Sequence, residues 1–213
     1  GDVVVITGAA TGIGKALALD AAQRGARVVV SDVADGTAVV DDIVAIGGEA
    51  TFIRADVTDY SSLEKLVSGT VEFFGGLNIL VNNALCGGGA APLDVADPGG
   101  TKDLIDSGVL GVMYGIRAAA EQLKAAAARG ERASIVNVGS EHSLGVPPHV
   151  QPISTYTVAK YAVLGITDTA RRDFADSGVH VMLLAPGWVR TERVREAVSA
   201  SREAAMAIEP YAP

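Results

Sequence analysis

Short apolar runs rich in Val and Ile recur six times along the chain, and between them lie longer helix-compatible stretches. The runs are 3–7, 27–31, 50–54, 78–82, 134–138 and 180–184. They are apolar nearly throughout, with little alternation. Strands buried on both faces of a parallel sheet read in this way. Helix patterns cover 13–24, 36–46, 61–74, 102–128 and 154–177, and Asp59 followed by Ser61, Ser62, Leu63 and Glu64 marks a helix start. Strict alternation of the two element types predicts an α/β fold: a doubly wound parallel sheet with helices on both faces, in a single domain over residues 1–213.

Composition narrows the function classes. Hydrophobic residues make up 49% of the 213 and charged residues 20%, which supplies a large core and excludes a wholly disordered chain. No apolar stretch approaches the roughly 18 residues of a membrane span, so no membrane partner is expected. The net charge of −8 repels phosphate backbones and argues against a nucleic-acid partner. One cysteine, Cys86, forms no internal disulfide and reads as an inert thiol, and no Cys/His cluster suggests a metal. The opening Gly1-Asp2 runs straight into the first strand, with no basic stretch and cleavage site before it. A cytoplasmic protein is the expectation.

The first strand breaks into Thr7-Gly8-Ala9-Ala10-Thr11-Gly12-Ile13-Gly14 where a helix begins. Glycines let backbone amides approach a pyrophosphate, and the helix presents its positive end to it. The second strand ends at Asp32, an acceptor for both ribose hydroxyls of an adenosine. It would repel a 2′-phosphate, and no Lys or Arg adjoins it in sequence. NAD is therefore favoured over NADP. Asp56 and Val57 follow the third strand, where they can meet an adenine, while Asp59 reads as a helix cap. Asn82 and Asn83 end the fourth strand, where such side chains tie neighbouring strands, and Ala84 leaves room for a ribose. Singly, these features have ordinary readings as a tight turn, a solvated aspartate or a cap.

Tyr156 and Lys160 stand four apart in a helix pattern and so share a face. An ammonium beside a phenol favours phenolate, and a tyrosine tuned in this way exchanges protons near neutral pH. Ser140, just past the fifth strand, can hydrogen-bond the same substrate oxygen. The loops 86–100 and 141–152 both follow strands and are expected at the ligand crevice. His142 and His149 flank the expected crevice, where they could touch substrate, although a solvated loop histidine is the first reading of each; His180 reads as structural. Leu144, Val146 and Trp188 suggest a moderately hydrophobic lining.

Together these pieces resemble the short-chain dehydrogenase/reductase family, in its branch with the T-G-x-x-x-G-x-G loop and Y-x-x-x-K. The resemblance runs from Val3 to about Thr191 and implies a Rossmann-like fold. It implies an NAD(H)-dependent oxidoreductase that interconverts a secondary alcohol and a carbonyl, with a small-molecule substrate. Tyr156 would be the general acid/base, Ser140 would polarise the reacting oxygen, and Lys160 would hold the nicotinamide ribose and depress the tyrosine pKa. The cofactor would contact Gly8, Thr11, Gly12, Ile13, Gly14, Asp32, Asp56, Val57, Asn82, Ala84, Tyr156 and Lys160. Pro186, Gly187, Val189 and Thr191 would meet its nicotinamide end. A homotetramer or homodimer is implied as well.

The sequence departs from the family pattern in three places. Leu85 replaces the Gly of Asn-Asn-Ala-Gly. Gly108 stands where the family has a helix Asn. The seventh strand of complete members does not follow Thr191. The departures keep open an alternative, a catalytically weakened dinucleotide-binding or sensor protein.

Overall fold

The computed structural model describes residues 1–86, 90–147 and 153–200. Six strands, β1 (Val3–Thr7), β2 (Arg27–Ser31), β3 (Glu49–Phe52), β4 (Ile79–Asn82), β5 (Ser134–Val138) and β6 (His180–Leu184), form one sheet in the order β3-β2-β1-β4-β5-β6. Every pairing in it is parallel. Successive residues of a strand face opposite sides. Val4 and Ile6 join the core under α1 (Gly12–Gln23) and α2 (Thr37–Ala45). Val5 joins the core under α3 (Tyr60–Phe74), α5 (Gly111–Ala128) and α6 (Ser154–Asp173). A fully buried valine contributes about 1.5–3 kcal/mol, so β1, with all five residues buried, anchors both layers. The doubly wound, Rossmann-like sheet expected from the sequence is the observed one.

Burial on both faces holds for the centre of the sheet and fails at its edge. In β6, Met182 is 44% and Leu184 40% exposed, and His180, expected inside, is exposed at the strand start. An edge strand has a neighbour on one side only, and α6 covers the face that carries the buried Val181, leaving Met182 and Leu184 open.

The helix expected over 102–128 is three pieces. It comprises α4 (Pro98–Ile105), a π-helical turn at Asp106–Leu110, and α5. Asp97 caps α4 by accepting from Gly100 N–H, and Pro98 fills a position where no N–H is needed. In the π turn, Ser107 Oγ donates to the Asp103 carbonyl, which competes with the helical ladder there. Asp59 caps α3 as the sequence suggested, accepting from Ser61 N–H. Beyond Thr191 the chain continues into α7 (Glu192–Ala200). No described helix is long and apolar enough to cross a membrane.

The strand order reverses between β1 and β4, which run out side by side. At that switch point the helices following the two strands diverge to opposite faces, leaving a crevice at the strands' carboxyl ends. A buried ladder ties the sheet below it. Asn82 Nδ2 donates to Asn137 Oδ1 at 2.9 Å, Asn137 Nδ2 to Thr167 Oγ1 at 3.1 Å, and Thr167 Oγ1 to the Val163 carbonyl at 2.7 Å. Each buried polar group thus has a partner, and the ladder fixes β4, β5 and α6 in register.

Candidate active site

The crevice is a cavity of about 840 Å³ at the carboxyl ends of β1, β2, β4 and β5. Its floor is the turn between β1 and α1. Gly8 adopts φ +64°, and a Cβ there would lie 2.7 Å from Ala84 Cα. A Cβ on Gly14 would lie 2.2 Å from the Gly8 carbonyl oxygen, so the first turn of α1 can pack this close only without a side chain. The turn is pinned from the β4 side. Asn83 Nδ2 donates to the carbonyls of Thr7 and Gly8 at 2.9 and 3.0 Å, and Thr7 Oγ1 accepts from the N–H groups of Asn83 and Ala84. The result is a rigid cradle of bare backbone at a helix N-terminus, the arrangement that suits a pyrophosphate.

Asp32 marks one end of the crevice. Its two carboxylate oxygens accept from Ala10 N–H and Ala34 N–H, each at 3.0 Å, which holds the negative charge in place. Asp56 lies beside it, with Oδ1 accepting from both the N–H and the hydroxyl of Thr58. Among the described residues, no Lys or Arg lines the crevice beside Asp32. Arg54 extends from the end of β3, lies over the Phe52 ring, and donates to the Val33 carbonyl.

At the other end stand Ser140, Tyr156 and Lys160. Ser140 begins a 3₁₀ turn (Glu141–Ser143), where its hydroxyl accepts from His142 N–H at 3.3 Å. Ser143, fully buried, accepts from Ser140 N–H at 3.2 Å and donates to the Lys160 carbonyl at 2.7 Å. Lys160 is 5% exposed. Its Nζ donates to the Val138 carbonyl at 2.8 Å and lies 5.6 Å from the centre of the Tyr156 ring. Burial without a carboxylate partner pushes the ammonium down from 10.5 to about 8.

His142 departs from expectation. It is 5% exposed, packs edge-on against Tyr156 with centroids 5.3 Å apart, and hydrogen-bonds Thr157 Oγ1 through Nδ1 at 2.8 Å. The 3₁₀ turn folds its ring inward, which a Pro-rich stretch does not announce. His149 lies outside the described residues. Trp188 lines the crevice, whereas Leu144 and Val146 are 69% and 74% exposed and contribute no lining.

Gly8, Thr11, Gly12, Ile13, Asp32, Asp56, Val57, Ala84, Ser140, Tyr156 and Lys160 all face this one space. Pro186, Gly187, Val189 and Thr191 close it from above, tethered where Glu141 N–H donates to the Pro186 carbonyl at 2.9 Å. Two expected contacts lie elsewhere. Asn82 is spent in the ladder beneath, against α5 at Gly115, and Gly14 sits behind the cradle. Asn83, not singled out as a ligand, faces the cavity instead. Two polar residues in a row at a strand end gave the signal, but strand parity, which the sequence left open by one residue, decided between them. Among the described residues, no group of three His, Cys, Asp or Glu is placed to hold a metal.

A family model described as short chain dehydrogenase matches residues 2–202. The chain belongs to the short-chain dehydrogenase/reductase family. An uncharacterized oxidoreductase of Thermotoga maritima is 38% identical over 94% of this dehydrogenase/reductase chain and 77% of its own. A cyclohexanol dehydrogenase of an Acinetobacter species is 35% identical over 91% and 75%. Among solved structures, a short-chain dehydrogenase/reductase of Burkholderia phymatum in complex with NAD superposes with a TM-score of 0.83. It is 31% identical, over 96% of this chain and 72% of that one. This chain is accordingly an oxidoreductase of a family that uses nicotinamide dinucleotides.

Proposed function

We propose that the protein interconverts a small secondary alcohol, of the alicyclic class, and its ketone with NAD(H), Tyr156 being the acid/base. The observation that carries the reading is that Ser140, Tyr156 and Lys160 line the same cavity as the glycine cradle and Asp32. The cradle accepts no side chain at Gly14, and backbone amides border it, so the residues fit a dinucleotide. When bound, the nicotinamide supplies the hydride acceptor in one direction and the donor in the other. Ser140 then orients the substrate oxygen, and Tyr156 takes its proton on oxidation or returns it on reduction. Lys160, buried against the tyrosine ring, holds positive charge where a phenolate develops.

Asp32 supports NAD over NADP, since a fixed carboxylate accepts ribose hydroxyls and repels a phosphate. The alicyclic class follows the relatives, among which are dehydrogenases of cyclohexanol and of cis-4-hydroxycyclohexanecarboxylate, the latter 37% identical. Trp188 in the lining suits such a ring. Half-exposed Met113 on α5, with Val158 and Tyr161 on α6, favours a homo-oligomer paired through these helices.

Tyr156→Phe tests the reading, with cyclohexanol and NAD as the assay pair. Turnover should fall about 10²–10⁴-fold while NADH binding stays within a few-fold. Near-normal turnover in this variant defeats the mechanism. Tight NADH binding by a parent that oxidises none of a panel of alcohols gives the second reading, a binding protein without turnover, which the glycine at position 108 favours.

A further inference from the structure

Resting on the dinucleotide reading above, we propose that Leu85 is a positioning residue whose seat is Gly108. The leucine, lodged over that glycine, holds the loop after β4 as the crevice wall beside Lys160.

Gly108 is buried in the π-helical turn. A Cβ built on it would lie 2.6 Å from Leu85 Cδ1 and 3.9 Å from the Cβ of Ala159. Two carbons do not approach to 2.6 Å, so Leu85 in its present place and any side chain at 108 exclude each other. Leu85 also lines the crevice. Its side chain therefore reaches from the cavity to the π-helical turn at Gly108, which lies against the fully buried Ala159 of α6.

The neighbouring residue makes a polar contact to the same turn. Cys86 N–H donates to Ser107 Oγ at 2.9 Å, and Ser107 Oγ donates onward to the Asp103 carbonyl at 2.8 Å. Upstream, Ala84 N–H is held by Thr7 Oγ1 at 3.1 Å. The loop is thus fixed at Ala84 to the glycine cradle and at Leu85 and Cys86 to the π turn. A side chain at 108 would push the end of the Leu85 side chain off its seat and so change the stretch of crevice wall that it lines. Two departures from the family pattern, Leu85 and Gly108, are one packing solution.

A double-mutant cycle on the full chain tests this, using Gly108→Ala, Leu85→Ala and both together, read by thermal melting and by NADH fluorescence titration. Gly108→Ala should lower the melting temperature by about 5 °C. It should also weaken NADH binding about tenfold, because a displaced wall misplaces the bound dinucleotide. Leu85→Ala alone should weaken binding less. The double variant should bind NADH better than Gly108→Ala does, a non-additive rescue that two independent sites cannot give. Two outcomes overturn the proposal: unchanged NADH affinity in Gly108→Ala, with or without a lower melting temperature, or losses that simply add in the double variant. A parent chain that binds neither NADH nor NADPH defeats the dinucleotide reading and the pair's role together. A parent that binds, with variants that bind equally well, defeats the pair's role alone.

Discussion

Ser143 Oγ donates to the backbone carbonyl of Lys160 at 2.7 Å while accepting from Ser140 N–H at 3.2 Å. One buried hydroxyl therefore joins the turn that carries Ser140 to the helix that carries Tyr156 and Lys160. Neither Ser140 nor Lys160 touches the other through its side chain. Their relative position is set by Ser143, which lies outside the crevice lining, together with the bond from Lys160 Nζ to the Val138 carbonyl.

Ser143→Ala should accordingly disturb catalysis more than cofactor binding. Losing the bridge leaves the Ser140 N–H without its acceptor in a buried place, at a cost of about 1–3 kcal/mol. The turn should relax, and kcat should fall about tenfold through misplacement of the Ser140 hydroxyl. NADH affinity should change little, because the glycine cradle and Asp32 lie at the other end. Steady-state kinetics with titrated cofactor separate the two. A variant with unchanged kcat would show that Ser140 is held by other contacts.

Lys160 gives the protein a pH-dependent stability of predictable sign. Its ammonium titrates near 8 when folded, against 10.5 when free in the unfolded chain. Between those values the unfolded state binds more protons, so stability rises with pH. Below 8 the cost of burying the charge is fully present. Above 10.5 it is gone. Lys160→Met removes the charge, so the difference in denaturant midpoint between variant and parent should shrink as pH rises from 8 to 10. A constant difference across that range would mean that the folded amine stays charged like the unfolded one, so that burial does not shift its titration.

Asp32→Ala should narrow the preference for NADH over NADPH. The substitution removes the acceptor of Ala10 N–H and Ala34 N–H, and with it the fixed negative charge. NADH should bind about tenfold more weakly. NADPH binding should hold or improve, because the carboxylate that repels its 2′-phosphate is gone. Paired fluorescence titrations measure both constants. Equal losses for the two cofactors would assign Asp32 to loop architecture alone.

Two glycine substitutions should act in opposite directions. At Gly14 a Cβ meets the Gly8 carbonyl at 2.2 Å, so Gly14→Ala should destabilise by about 1–3 kcal/mol and abolish cofactor binding. At Gly165, exposed in α6, a Cβ meets nothing within 4 Å. Gly165→Ala should stabilise by about 1 kcal/mol, the helix-propensity difference. Chemical denaturation reads both, and a neutral Gly14→Ala would show that the cradle yields.

The sequence by itself determined the sheet, its windings and the residue types of the site. Val and Ile runs in a parallel sheet have few alternative partners, and a strand-glycine-helix junction has one use for its bare backbone. Tyr156 and Lys160 were legible because a helix puts residues four apart on one face. The tertiary structure alone decided what depends on contacts distant in sequence. Arg54 reaches Val33 across two strands, and Ser143 finds Lys160 seventeen residues away. His142 turns inward because a 3₁₀ turn, not a solvated loop, follows Ser140. Asn82 turned into the ladder and Asn83 toward the glycine turn because a strand's pleat, which the alternation of an all-apolar run cannot reveal, points adjacent side chains to opposite sides. Leu85 and Gly108 read as separate irregularities along the chain. They became one feature only when the β4 loop and the π turn were brought within contact, because shape complementarity is a property of neighbours in space.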